Sequence, residues 1–291
     1  MNVLLLYNPK AGTRVFPDEL DRVIEAFQNK GKQVIPHRLS GTDQMEAFLK
    51  NQDMESVEKI LVAGGDGTIH QVVNTMMHLD IHKPIGIFPT GTANDFSQYF
   101  GIPKDIDGMI KVALRDTVAH VDVGKVNDRY FINVASFGNL VDISQRVNEQ
   151  AKNVLGVLAY YIKGIEEFPR LKSIRATFEL DDGHMEEDIF FALVMNGKSA
   201  GAFRKLAPFS DISDGLLDVL IFKKCPVIEI VLLLMQVVNG EHPKSDHIIY
   251  AKASRIKVSC QADLTSDLDG EAGPPLPLEI QVEQKRLQII K

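Results

Sequence analysis

The chain has little from which to build a disulfide framework. Its 291 residues hold two cysteines, Cys225 and Cys260, and no CxxC pair. Reduced thiols in a cytosolic protein are the simple reading, and thiol ligation of a metal is unsupported. No apolar run approaches the roughly 20 residues that a membrane-spanning helix needs. The most apolar stretch, Val227–Val238, contains Glu229 and Gln236. It reads as a buried helix, with a membrane-facing helix as the alternative. Positive charge is not in excess: the net charge is −7. That balance argues against a general nucleic-acid binder and against holding a membrane by overall charge. Met1–Pro9 lacks a basic leader region and reads as a first strand, not as a signal peptide. The eight histidines form no HExxH or HxH cluster, and there is no GxSxG, Walker, GxGxxG or HRD motif. Zinc-site, serine-hydrolase, P-loop, Rossmann-dinucleotide and protein-kinase readings all lose support.

What is present is the balance of a soluble globular protein, 45% hydrophobic and 24% charged. The first part alternates strand and helix. Strand-like runs at Val3–Tyr7, Gln33–Arg38, Lys59–Ala63 and Pro84–Phe88 are separated by helical patterns. In Pro17–Lys30, Leu20, Val23, Ile24 and Phe27 share one face. A second helix is expected from Thr42 or Asp43, either of which suits a cap, through Leu49, and another over about Asp105–Leu114. That order predicts βαβ units and a largely parallel sheet. Near residue 118 the character changes. Val118–Val126, Tyr130–Ala135, Ser173–Leu180, Asp188–Asn196, Leu216–Phe222 and Arg255–Ser259 read as strands joined by turns, with helical interruptions at Leu140–Lys163 and Val227–Val238. The expected organisation is an α/β domain over 1–120, to which the C-terminal tail is a candidate addition, and a β-rich, sandwich-like domain over 121–291.

Three loops in the first part carry the chemistry. Asn8-Pro9-Lys10-Ala11-Gly12, Gly64-Gly65-Asp66-Gly67-Thr68 and Pro89-Thr90-Gly91-Thr92-Ala93-Asn94-Asp95 each follow a predicted strand. In a parallel sheet such loops gather at one edge, where ligands bind. Glycine turns leading into helix N-termini are suited to phosphate. The odd member is Asp66, because a carboxylate beside polyphosphate repels it unless a cation or a hydrogen bond intervenes. Phosphate and metal handled together suggest phosphoryl transfer. Lys10 is either a phosphate counter-charge or a solvated lysine, and Thr42 is either a helix cap or a ligand contact on the same edge.

Two acidic turns stand out in the second part. Asp269-Gly270-Glu271 reads alone as a hairpin turn, since Asp-Gly is a common turn dipeptide. Ser213-Asp214-Gly215 has the same ambiguity between closing a turn and holding Mg²⁺.

Together these motifs make the chain resemble the diacylglycerol-kinase catalytic-domain family of soluble bacterial lipid kinases, relatives of the sphingosine and ceramide kinases. Asn8-Pro9-x-x-Gly12, the GGDGT element, Gly91–Phe96, Asp214-Gly215 and Asp269-Gly270-Glu271 stand in the family's order over nearly the whole length. GGDGT is shared with NAD kinases and resembles that of phosphofructokinases; the two late elements single out the lipid kinases. The resemblance implies ATP lying against an NAD-kinase-like first domain, with the active site in the interdomain cleft. ATP would be touched by Asn8 to Gly12, Thr42, Gly64 to His70, Thr92 and Asn94. Asp269, or in second place Glu271, would deprotonate the lipid hydroxyl. A structural Mg²⁺ would sit at Asp214 with carbonyls of Asp211 and Leu216, and a second would travel with ATP near Asp66. Two departures accompany it: Ile69-His70-Gln71 follows the loop in place of the usual x-Asn-Glu, and Ala11 stands where Ser is common.

The expected reaction is transfer of the γ-phosphate to a lipid hydroxyl, diacylglycerol to phosphatidic acid. The alternatives are an NAD or sugar-phosphate kinase on the same loop, or a nucleotide-binding protein impaired at His70-Gln71. The expected partner is a lipid, reached by peripheral contact from the cytoplasm with the inner membrane surface. Phe203, Leu206 and Phe209 are candidates for lining its entrance, with burial in the core as the competing role. A homodimer is left open.

Overall fold

A computed structural model of the protein describes residues 1–12, 16–138, 173–181, 183–201 and 203–291. They form two compact units. The expected helix at Leu140–Lys163 lies outside the described residues.

The first unit comprises Met1–Asp122 and Gln284–Lys291. In order it contains β1 (Asn2–Tyr7), α1 (Phe16–Gln28), β2 (Gln33–Arg38), α2 (Thr42–Lys50), β3 (Val57–Gly64), α3 (Asp66–His78), β4 (Ile85–Pro89), α4 (Asp95–Gln98) and α5 (Ile106–Ala113). The four strands are parallel in the order β2-β1-β3-β4. Val3–Leu6 and Ile60–Ala63 are fully buried. Unbroken apolar runs of this kind belong to strands covered on both faces. Helix α1 lays Phe16, Val23 and Phe27 into a core with Val3, Leu5, Leu61 and Phe88. The buried Lys59 is accounted for by the end of α5: its Nζ donates to the Arg115 carbonyl at 2.9 Å. A cation there also meets the negative end of the helix dipole. One expectation is corrected. Gly41, not Thr42 or Asp43, holds the cap position of α2, and no side chain caps it. Thr42 is the first residue of the helix proper.

Strand β5 (Val118–Val126) carries the chain into the second unit, Val123–Glu283. There follow β6 (Arg129–Phe131), β7 (Val134–Gly138), β8 (Ile174–Leu180), β9 (Gly183–Met195), β10 (Leu217–Lys223), α6 (Val227–Asn239), β11 (Ile248–Ala253), β12 (Arg255–Cys260), β13 (Thr265–Leu268), β14 (Glu271–Pro275) and β15 (Leu278–Ile290). The last residues of β15 return to the first unit, where Ile289 pairs in parallel with Ile85. Within the second unit the described pairings are antiparallel, and β9 is central, bonding to β7, β8 and β10. Its side chains alternate between two cores. Ala192 and Val194 join Phe131, Phe137 and Phe178 on one face, while Phe191, Leu193 and Met195 meet Ile230, Leu233 and Val237 of α6 on the other. The period of two along a strand makes that division.

Three differences from the sequence reading stand out. Tyr130–Ala135 is not one strand, because Ile132 and Asn133 turn their N–H groups onto the Asp269 carboxylate. Strands β11, β13, β14 and β15 were not anticipated. Helix α6 is not wholly buried: Leu232, Met235 and Val238 are 56%, 59% and 52% exposed.

Candidate active site

In the first unit the C-terminal ends of β1, β3 and β4 carry the three glycine loops, and the loops touch backbone to backbone. A Cβ on Gly12, which has φ +51°, would lie 1.9 Å from the Thr90 carbonyl oxygen. A Cβ on Gly91 would lie 2.5 Å from Gly65 Cα, and one on Gly64 would strike the Thr68 side chain at 2.4 Å. Only glycine permits this approach at these three positions. Side chains then fasten the loops. Asn8 accepts from Lys10 N–H at 2.9 Å and donates to Thr68 Oγ1 at 3.1 Å. Asn94 closes its own loop, accepting from Gly91 N–H and donating to the Gly91 carbonyl. Gly65 caps α3 without any side-chain acceptor. The first N–H groups of a 13-residue helix therefore face this edge, as an anion requires.

The conflict posed by Asp66 is resolved locally. Its two carboxylate oxygens accept N–H bonds from Asp95 and Phe96, each at 3.1 Å. Asp66 thus caps α4 from the neighbouring loop and locks the second glycine loop to the third. Two backbone dipoles offset the charge. His70 is 2% exposed, and Asn74 Nδ2 stands 3.4 Å from its Nε2. Lys10, Thr42 and Thr92 are exposed on the same edge. One residue was missed. Thr90 Oγ1 is buried with no hydrogen-bond partner, within the contact between loops. It stood in plain view between Pro89 and Gly91, but nothing in sequence distinguishes a hydroxyl that finds a partner from one that does not.

In the second unit, Asp269 and Gly270 form the two-residue turn of the β13–β14 hairpin, with φ of +54° and +92°. Both residues having positive φ marks the hairpin turn whose twist matches its strands. The carboxylate of Asp269 accepts three backbone N–H groups: Ile132 at 2.7 Å, Asn133 at 2.9 Å and Val134 at 2.8 Å. It is an anchor, engaged through both oxygens. Glu271, two residues on, is exposed.

Asp211 accepts from the N–H and hydroxyl of Ser213, and Asp214 from the N–H of Leu216, so each closes its own turn. The other oxygen of Asp214 meets Lys252 Nζ at 2.7 Å. Behind it lies Asp218, fully buried, bonded to the Tyr250 hydroxyl and with Oδ2 lacking a hydrogen-bond partner. Burial pushes the Asp218 carboxyl above its ordinary range. An all-oxygen set suits a hard cation in its chemistry, and Lys252 Nζ also stands 3.8 Å from Asp218 Oδ2. Lys252 already supplies positive charge there. Among the described residues no group of three or more His, Cys, Asp or Glu forms a metal cluster.

Comparison with known proteins decides the family. A model described as the diacylglycerol kinase catalytic domain matches residues 2–126, and one described as the YegS C-terminal NAD kinase β-sandwich-like domain matches 133–291. The diacylglycerol kinase of Bacillus subtilis strain 168 is 36% identical over 276 residues, 94% of this chain and 91% of that protein. The diacylglycerol kinase of Staphylococcus epidermidis ATCC 12228 is 33% identical over 290 residues, 98% and 90% of the two chains. The chain belongs to the diacylglycerol kinase family. A solved diacylglycerol kinase structure from Bacillus anthracis str. Sterne is similar with a TM-score of 0.80 and 25% identity, over 99% of this chain and 96% of that one.

The chain is thus a member of a lipid-kinase family, and the family implies ATP as phosphoryl donor. Its fold is the α/β domain and sandwich-like domain expected for the family. The structure brings Asn8, Gly12, Gly64, Gly65, Asp66, Thr68, Gly91 and Asn94 into one set of touching loops. His70 follows the second loop on α3 and is buried. Among the described residues no helix is long and apolar enough to cross a membrane.

Proposed function

We propose that the protein transfers the γ-phosphate of ATP to a lipid hydroxyl, converting diacylglycerol to phosphatidic acid. The observation that carries the reading is the mutual packing of the three glycine loops at one sheet edge, beside an α3 N-terminus without a side-chain cap. Such a surface offers N–H donors to phosphate oxygens without a Cβ in the way. The phosphates lie against Asn8–Gly12, Gly64–Thr68 and Thr92, with Thr42 and Asn94 bordering them. Asp66 acts through the loops it joins.

The two carboxylates of the β13–β14 turn divide the work. Asp269, held by three N–H donors, positions the turn, and Glu271, exposed, takes the proton of the lipid hydroxyl. This reverses the order of choice made from sequence. In a loose transition state the acceptor proton leaves late, so an ordinary carboxylate suffices. Mg²⁺ would neutralise charge on the β- and γ-phosphates when bound with ATP. Asp214, with carbonyls of Asp211 and Leu216, would hold a structural Mg²⁺ in place of Lys252. The enzyme works from the cytoplasm at the inner membrane surface.

The test is incubation with γ-labelled ATP and a panel of diacylglycerol, monoacylglycerol, polyprenol, glycolipid, NAD and sugar phosphates. Label in the organic phase with diacylglycerol supports the reading. Label in NAD or a sugar phosphate instead rejects it, and ATP binding without transfer to any acceptor points to an impaired kinase.

A further inference from the structure

Asn196 follows the end of the central strand β9 and is fully buried. Its donors meet two consecutive carbonyls. Nδ2 donates to the Ile132 carbonyl at 3.0 Å, and the backbone N–H donates to the Asn133 carbonyl at 2.9 Å. Those carbonyls belong to the peptide units 132–133 and 133–134. The N–H groups of the same two units, on Asn133 and Val134, are the pair that converges on Asp269 Oδ1, at 2.9 and 2.8 Å. Two hydrogen-bond chains thus start on Asn196, pass through one peptide unit each and end on a single carboxylate oxygen. Asn196 is itself fixed. Its carbonyl accepts the hydroxyl of Ser210, which is buried, at 2.8 Å.

An amide whose carbonyl accepts a hydrogen bond is polarised, and its N–H becomes a stronger donor. Asn196 therefore strengthens the two N–H groups that hold Asp269. Ile132 and Asn133 are both buried, so a carbonyl deprived of its donor there stays away from water and costs its desolvation. Turning unit 132–133 toward another donor relieves this, and takes the Asn133 N–H off Asp269. We propose that Asn196 is a positioning residue for the β13–β14 turn that carries Glu271, a proposal that rests on the lipid-kinase reading. It acts through the two peptide units and not on a reactant. A buried amide that served stability alone would lower the unfolding midpoint and leave turnover as it is.

Asn196→Ala removes Nδ2 and leaves the backbone N–H. Its comparison is Val258→Ala, which cuts into the core of the same unit on β12 and takes no part in these chains. Steady-state transfer to diacylglycerol is the first reading. In Asn196→Ala kcat should fall roughly tenfold to hundredfold. KM for ATP should hold, because the loops assigned to ATP lie in the other unit. Val258→Ala should keep the wild-type kcat. The second reading is hydrogen–deuterium exchange by mass spectrometry: amides 132–134 should exchange faster in Asn196→Ala and at the wild-type rate in Val258→Ala. The third is Asn196→Ala combined with Asp269→Asn. Its loss, taken as log kcat, should fall short of the sum of the single losses, since both residues act on the same peptide units. Where Asn196→Ala does not fold, Asn196→Ser serves for all three readings, because its hydroxyl stops one bond short of the amide nitrogen. Wild-type kcat in the variant, equal losses in Asn196→Ala and Val258→Ala, unaltered exchange at 132–134 or additive losses each overturn the proposal. A wild type that transfers phosphate to no lipid rejects the lipid-kinase reading alone, and exchange at 132–134 then decides whether Asn196 holds the turn.

Discussion

Substitution of Asp269 by Asn separates an anchoring carboxylate from a catalytic base. Asp269 Oδ1 accepts from Asn133 and Val134, and Oδ2 from Ile132. An Asn amide can present its one oxygen to the first pair. Its NH₂ then faces the Ile132 N–H, donor against donor. The lost charge-assisted bond and the weakening of the other two together cost about 3 kcal/mol. Denaturant unfolding followed by far-UV circular dichroism reads this cost as a lower midpoint. Lipid phosphorylation should also fall, because the turn that carries Glu271 is released. Glu271→Gln behaves oppositely. Its side chain is exposed, so stability should change by no more than about 0.5 kcal/mol. Turnover should drop by roughly 10² to 10⁴ if it is the base. An Asp269→Asn protein of wild-type stability and no turnover, beside an active Glu271→Gln, would refute this division and return Asp269 to the role of base.

Three other outcomes are expected. Asp66→Asn should keep one N–H bond to α4 and lose the other, costing about 2 kcal/mol and raising KM for ATP more than it lowers kcat; unchanged unfolding would count against the loop-locking role. Lys252→Gln frees Asp214 Oδ2 from its ammonium partner, so Mg²⁺ should raise the melting temperature of this variant at lower concentrations than it does for the wild type, and identical titrations would show that Lys252 does not compete. Burial holds the imidazoles of His242 and His37 below their ordinary pKa. A His with a lowered folded pKa contributes stability above the unfolded value near 6.5 and loses it as pH falls toward the folded one, at up to about 1.4 kcal/mol per pH unit per group. The melting temperature should therefore fall between pH 7 and 5, less steeply in His242→Gln; equal slopes would remove His242 from the account.

Much of the first unit was legible because its signals are local. Four apolar runs, helical spacing between them and glycines after three strands all repeat within about ten residues. Their parallel arrangement then places the loops on one edge. The purpose of Asp66 was not legible. Its partners, Asp95 and Phe96, lie 29 and 30 positions away. From sequence, a carboxylate beside phosphate suggested a metal; in the fold, two N–H groups answer it. The second unit was less readable. Its strands pair across long separations, so β13 to β15 carried weak local patterns, and the break at Ile132-Asn133 depends on Asp269, more than 130 positions later.

The sequence by itself determined the family, the order of strands and helices in the first unit, and the three glycine loops at its sheet edge. Those features rest on residue type and spacing, and glycine, apolar period and Asp-Gly turns act over a few residues. Only the tertiary structure decided which carboxylates are already engaged. Asp66, Asp214 and Asp269 read alike as candidate metal or proton carriers, yet each is bonded to backbone N–H groups, and Asp214 to Lys252 as well. Whether an oxygen is available for chemistry depends on donors brought from elsewhere in the chain. For the same reason only the fold showed that α6 buries one apolar face and leaves the other to solvent.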